Sequence, residues 1–167
     1  MYDKLTVNDI KRLEEEIEHR KLVVRKEAIE AVKEARAQGD LSENFEYYAA
    51  KRHKNQNESR IRYLEKMVKT ARIIEDDSKE DEVGLDNTVT VYFVEDDEEE
   101  TYKLVTSVRG DSVSNLITIE SPLGKALLAH KVGDRVNVKV NEKVNYDVII
   151  RNIENTKDEG KEDIREF

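Results

Sequence analysis

From Val7 to Arg36 the chain carries neither glycine nor proline, so nothing in it breaks a helix along the whole stretch. Ile10, Leu13, Ile17, Val24, Ala28, Ala31 and Ala35 recur three and four residues apart with charged residues elsewhere, the period of one buried helical stripe. The spacing predicts a single amphipathic helix of about 30 residues, roughly 45 Å long. Thr6 to Asp9 offers N-cap candidates, and Gly39 is placed to end the helix. A second helix is expected from Ser42 to Ile74, with Phe45, Ala49, Ile61, Leu64, Met67, Val68, Ala71 and Ile74 on its apolar side. So short a link between two long helices forces them antiparallel. Residues 1–76 are therefore expected to form a helical coiled-coil hairpin with GDLSE at its tip.

The period then changes. EDDSKEDEVG, Glu75 to Gly84, has the composition of an acidic linker, placed here at 77–84. Beyond it, Thr88–Val94, Thr101–Val108, Leu116–Ile119, Arg135–Val140 and Tyr146–Ile153 alternate as strands, with EDDEEE and NEK as hairpin loops. SPLGKALLAHKVGD lies between the third and fourth and holds the chain's one proline, which suits the first turn of a short helix. The fold class expected is α+β: the hairpin, then one antiparallel sheet with one short helix over residues 85–154. Residues 155–167 have the composition of a flexible, solvated acidic tail.

Charged residues make up 40% of the chain and its net charge is −9, so the molecule as a whole is repelled by bare nucleic acid. Any contact with nucleic acid has to be local. The absence of cysteine removes disulfides and thiolate metal sites. No apolar run reaches the length of a membrane span, and a cytoplasmic location without membrane contact is expected. His19, His53 and His130 are scattered, and no phosphate-binding loop, HExxH or GxSxG occurs.

The tip segment, GDLSENFEYYAAK from Gly39 to Lys51, sets Asp40, Glu43 and Glu46 where the chain reverses. Acids at a helix start serve capping and the macrodipole. Asp40 and Glu43, three apart, also offer the oxygen ligands that Mg2+ takes, but two carboxylates alone bind it weakly. From Lys51 to Arg72 the second helix carries eight basic residues, Lys51, Arg52, Lys54, Arg60, Arg62, Lys66, Lys69 and Arg72, against Glu58 and Glu65. Such a stripe is either a solvated face or a surface for phosphates, and Lys51, Arg52 and Lys54 lie nearest the tip.

GDLSENFEYYAAK and SPLGKALLAHKVGD together resemble the two signatures of the bacterial Gre transcript cleavage factor family, in order and separation, over Thr6 to Ile153. The resemblance implies a coiled-coil hairpin followed by an FK506-binding-protein-like domain. It implies a transcription elongation factor whose C-terminal domain docks at the rim of the secondary channel of bacterial RNA polymerase. The hairpin then brings Asp40 and Glu43 to the polymerase's catalytic centre, as catalytic ligands of a shared Mg2+ and of the attacking water. Which acid serves which is left open. The chain is thus expected to be an accessory factor, not an enzyme by itself, and to hold no tight cofactor of its own. Its expected partners are RNA polymerase and the nascent RNA 3′ segment, with DNA met only indirectly and the chain monomeric. Asn44, Glu46 and Tyr47 also match, as tip support or polymerase contacts, and Ser121, Pro122, Leu123, Gly124 and Lys125 match as either docking residues or turn formers; the basic stripe then makes Lys51, Arg52 and Lys54 the candidate contacts for the RNA 3′ segment. Phe45 and Tyr48 depart from the pattern, and Phe45 is expected in the hairpin core. HKNQNESR, His53 to Arg60, lacks the expected apolar face. A channel-blocking inhibitor and a coiled-coil interaction module are the alternatives.

Overall fold

A computed structural model of the chain describes residues 3–39 and 44–166. They form two compact units: one is built from Asp9–Ala71, the other from Lys4–Asn8 together with the chain from Arg72 onward.

The first unit is the hairpin. Its first arm runs as α1 (Val7–His19), a π-helical segment (Arg20–Val24) and α2 (Arg25–Ala37), and its second arm is α3 (Phe45–Thr70). Cross-arm partners fall in number on one arm as they rise on the other, from Asn44 bonded to Ala35 to Arg60 bonded to Glu16, so the arms are antiparallel. On α3 the seam follows Tyr47, Ala50, Lys54, Asn57, Ile61 and Leu64, alternating three and four apart as in a coiled coil. Phe45 and Ala49, expected on this side, face out; the rings of Tyr47 and not Phe45 fill the first seam position.

The π segment corrects the uninterrupted helix expected for the first arm. A π turn accommodates one residue more than an α turn, so a seam passing Leu13, Ile17, Arg20 and Val24 continues at Ala28, Val32 and Ala35 while Ala31 turns outward. The carbonyl of Arg20 accepts the N–H of Arg25, five residues on, and also the amide of Asn57 across the hairpin at 3.2 Å. Asn57, 2% exposed, accepts in return from the Arg20 guanidinium at 3.1 Å. Glu16 binds both Arg20 at 3.1 Å and Arg60 at 2.9 Å. Arg25 grips Glu58 through two bonds of 2.7 and 2.9 Å, and Lys21 pairs with Glu65. The segment that lacks apolar residues is therefore closed by a polar layer.

α3 ends at Thr70, short of the expected Ile74, and β2 (Arg72–Ile73) pairs in parallel with β1 (Lys4–Leu5). Both belong to the second unit, where Leu5 is fully buried. The main sheet contains β3 (Thr88–Phe93), β4 (Glu98–Val105), β5 (Leu116–Thr118), β6 (Arg135–Lys139) and β7 (Asn145–Glu154), in the order β5-β4-β3-β7-β6. β3 pairs antiparallel with β4 and β7, and β6 with β7, but β5 runs parallel to β4, so the sheet is mixed and not wholly antiparallel. Alternate residues Val89, Val91, Val136, Val138, Val148 and Ile150 point to one face and are covered by Leu123 and Leu127 of α4 (Pro122–Leu127).

Two ends of this unit differ from expectation. Val83, placed in the linker, is fully buried in the core and exchanges backbone bonds with Ala129 and His130. The tail is not free of the domain. Thr156 bonds the Asp86 carbonyl at 2.7 Å, Glu162 pairs with Lys103, and the N–H of Arg165 reaches the Val108 carbonyl at 2.8 Å. Arg109, 1% exposed, sits beneath, paired with Asp86 and 3.8 Å from Asp158. A buried guanidinium needs carboxylates around it, and two of those near it come from the tail: Asp158 and Glu162.

Candidate functional site

α2 is ended by Gln38, whose N–H returns to the Ala35 carbonyl, and by Gly39 at φ +124°. That backbone conformation strains any residue with a Cβ. The reading of Gly39 as a helix breaker matches this geometry. Asp40 and Glu43, the candidate metal ligands, and Ser42, the expected N-cap, lie outside the described residues.

The cap of α3 is Asn44. Its side-chain oxygen accepts from the N–H of Tyr47 at 3.0 Å, while its amide donates to the Ala35 carbonyl at 2.6 Å. One side chain thus satisfies a donor at the start of the second arm and an acceptor at the end of the first. Tyr47, 9% exposed, lies under the Arg36 guanidinium, 5.7 Å from ring centroid to charge. A hydrogen bond from Arg36, against the opposing effect of burial, with help from Lys51 and Lys54, holds the Tyr47 hydroxyl below the ordinary tyrosine pKa. Arg36 was missed in the sequence: on an exposed helix face a single arginine carries no signal of its own. Glu46, Lys51 and Arg52 are exposed, and Lys54 is half-buried on the seam side. Phe45 is 86% exposed, which overturns its placement in the core; the seam is filled two residues on, by Tyr47, while Ile61, Leu64 and Met67 are buried as expected.

In the second unit the SPLGK turn is internally built. Ser121 caps α4 by accepting from the Gly124 N–H at 3.1 Å and donates to the Thr118 carbonyl at 2.7 Å. A Cβ on Gly124 would lie 2.0 Å from that same carbonyl oxygen, so only glycine fits without a shift. Leu123 is 9% exposed, whereas Pro122 and Lys125 face solvent, as does much of Leu128. Among the described residues no helix is long and apolar enough to cross a membrane.

Comparison with known proteins agrees with both units. The family model described as transcription elongation factor, N-terminal, matches residues 4–73, and that described as transcription elongation factor, GreA/GreB, C-term, matches residues 78–155. Transcription elongation factor GreA of Thermoanaerobacter pseudethanolicus is 50% identical over 81% of this chain and 87% of its own length. GreA of Bacillus subtilis is 43% identical over 81% of this chain and 86% of its own. Among solved structures, GreA factor homolog 1 of Thermus thermophilus is 27% identical, covering 92% of this chain and 99% of that one with a TM-score of 0.43. The chain belongs to the GreA/GreB family of transcription elongation factors.

Proposed function

We propose that this chain binds bacterial RNA polymerase through its secondary channel and stimulates endonucleolytic cleavage of backtracked nascent RNA, freeing arrested complexes. The observation that carries the reading is the built start of α3. Asn44 joins the two arms and Tyr47 is packed under Arg36, directly beside the chain segment that holds Asp40 and Glu43. These contacts fix the start of α3 against the end of α2, the two points from which that segment leaves the described helices.

The donor chemistry fits a hard divalent cation, since Asp40 and Glu43 offer only oxygen. Two carboxylates fall short of a full shell, so the chain acts as an accessory factor and the polymerase supplies the remaining ligands. Asp40 and Glu43 would hold Mg2+ through their carboxylate oxygens, and the ion, when bound, would supply Lewis-acid stabilisation of the phosphodiester. Asp40 and Glu43 share its binding and the orientation of water. Pro122 and Lys125, exposed on α4, present the docking contact, while Ser121, Leu123 and Gly124 shape the turn beneath it.

The test is Mg2+-dependent shortening of end-labelled RNA in a backtracked bacterial elongation complex, comparing the wild type with Asp40→Asn/Glu43→Gln. Cleavage by the wild type alone, with both proteins competing equally for polymerase, is expected. Equal cleavage by the variant overturns the role of the acids. Binding without cleavage by either assigns the chain to channel blocking.

A further inference from the structure

Phe45 stands 86% exposed on the first turn of α3, and an aromatic ring left so open in water points to something that covers it in use. Residues three, four and seven apart share a helix face, which aligns Phe45 with Tyr48, Ala49 and Arg52, all exposed. Tyr48 is 48% exposed, and its ring meets that of Tyr47 edge-on, with centroids 5.4 Å apart and planes at 64°. Since Tyr47 is itself packed under Arg36, Tyr48 is backed by a fixed neighbour. Helical side chains lean toward the helix N-terminus, which carries both rings toward the tip. Ala49, the residue one turn after Phe45, leaves the surface between them low.

The charge around this face selects the occupant. Lys51 and Arg52 are exposed against Glu46 alone over the same turns, although the chain as a whole has a net charge of −9. Aromatic faces beside cations suit single-stranded nucleic acid, because every base has a stackable face and the cations meet the phosphates. We propose that Phe45 and Tyr48 form a stacking platform for unpaired bases of the RNA 3′ segment, with Arg52 on a flanking phosphate. This rests on the reading that the tip meets RNA inside the polymerase.

The experiment uses the full chain and a backtracked elongation complex whose RNA carries 2-aminopurine at the 3′ end, held in Ca2+ so that the RNA stays intact. Wild type is expected to quench the fluorescent base on binding. Phe45→Leu and Phe45→Leu/Tyr48→Leu are expected to lose most of the quenching while competing for polymerase as wild type does, and Phe45→Trp to retain it. Both leucine changes are on exposed positions, and equal far-UV melts verify the fold. Quenching by Phe45→Leu equal to wild type overturns the platform. Weaker polymerase binding with unchanged quenching per bound complex places the rings against protein and also overturns it. If wild type does not bind polymerase at all, the functional reading fails and the platform with it; if it binds and cleaves without quenching, only the platform fails.

Discussion

Replacing Asn44 by alanine removes the cap of α3 and the tie to Ala35 in one step. Loss of the cap costs about 1–2 kcal/mol of hairpin stability, and the lost tie leaves the tip free to spread. The expected outcome is a lower melting temperature together with reduced RNA cleavage at unchanged polymerase affinity; unchanged cleavage would show that the tie does not position the tip. Asn44 was legible in the sequence as part of a motif, but its second bond was not, because the Ala35 carbonyl is nine residues away and is reached only once the arms have closed. Phe45 was misread for a related reason. Hydrophobicity alone ranks phenylalanine above tyrosine for a buried seam, yet Tyr47 takes it because the seam spacing through Ala50, Lys54 and Asn57 reaches position 47 and not 45, and Arg36 from the other arm lies over its ring.

At the scale of elements, the π segment and the polar layer it serves depend on pairs 33 to 44 residues apart in sequence, which no local period records. The layer makes the hairpin sensitive to acid. Burial pushes the Glu16 carboxyl up, but hydrogen bonds from Arg60 and Arg20 outweigh it and hold its pKa below the ordinary 4.5. Glu58 is likewise held low by its bond to Arg25. A depressed folded pKa contributes stability that is complete above the unfolded pKa and is lost as pH falls through the folded value. Hairpin melting temperature is therefore expected to hold above about pH 5 and to fall as pH drops through and below the ordinary carboxylate value of 4.5, and Glu16→Gln to flatten that dependence; a variant with the wild-type slope would remove Glu16 as a cause. The tail makes a second case. Its composition reads as solvated, but Thr156, Asp158, Glu162 and Ile164 face inward on either side of Gly160, which turns at φ +78°. Glu162→Gln, losing the charge on Lys103, is expected to destabilise the second unit by about 1–3 kcal/mol. The same change is expected to speed tryptic cleavage at Lys157 and Lys161, and wild-type resistance would show that the pair does not hold the tail.

For the whole molecule, the change of hydrophobic period from helical to alternating made both units legible, and the single proline and the SPLGK turn marked the short helix. The parallel edge pair β4–β5 and the β1–β2 pair were not, since Lys4–Leu5 and Arg72–Ile73 are too short to show a period and meet only across the hairpin's length of chain. Charge distribution is the property of the whole chain that matters most for its proposed partner. With net charge −9 it is expected to bind free single-stranded RNA poorly, so RNA contact depends on polymerase holding both near the cations of α3. Lys51 and Arg52 point outward, whereas Lys54 is half-buried along the seam, where a reversed charge would disturb the hairpin itself. Lys51→Glu/Arg52→Glu is therefore the clean probe. It is expected to lower crosslinking of the RNA 3′ segment to the tip, and to do so more at low salt than at high, because exposed charges are screened as salt rises. Competition for polymerase should be unchanged. Parallel loss of crosslinking and polymerase binding would instead make these two residues part of the docking surface, and the acidic chain would then have no electrostatic foothold on RNA at its tip.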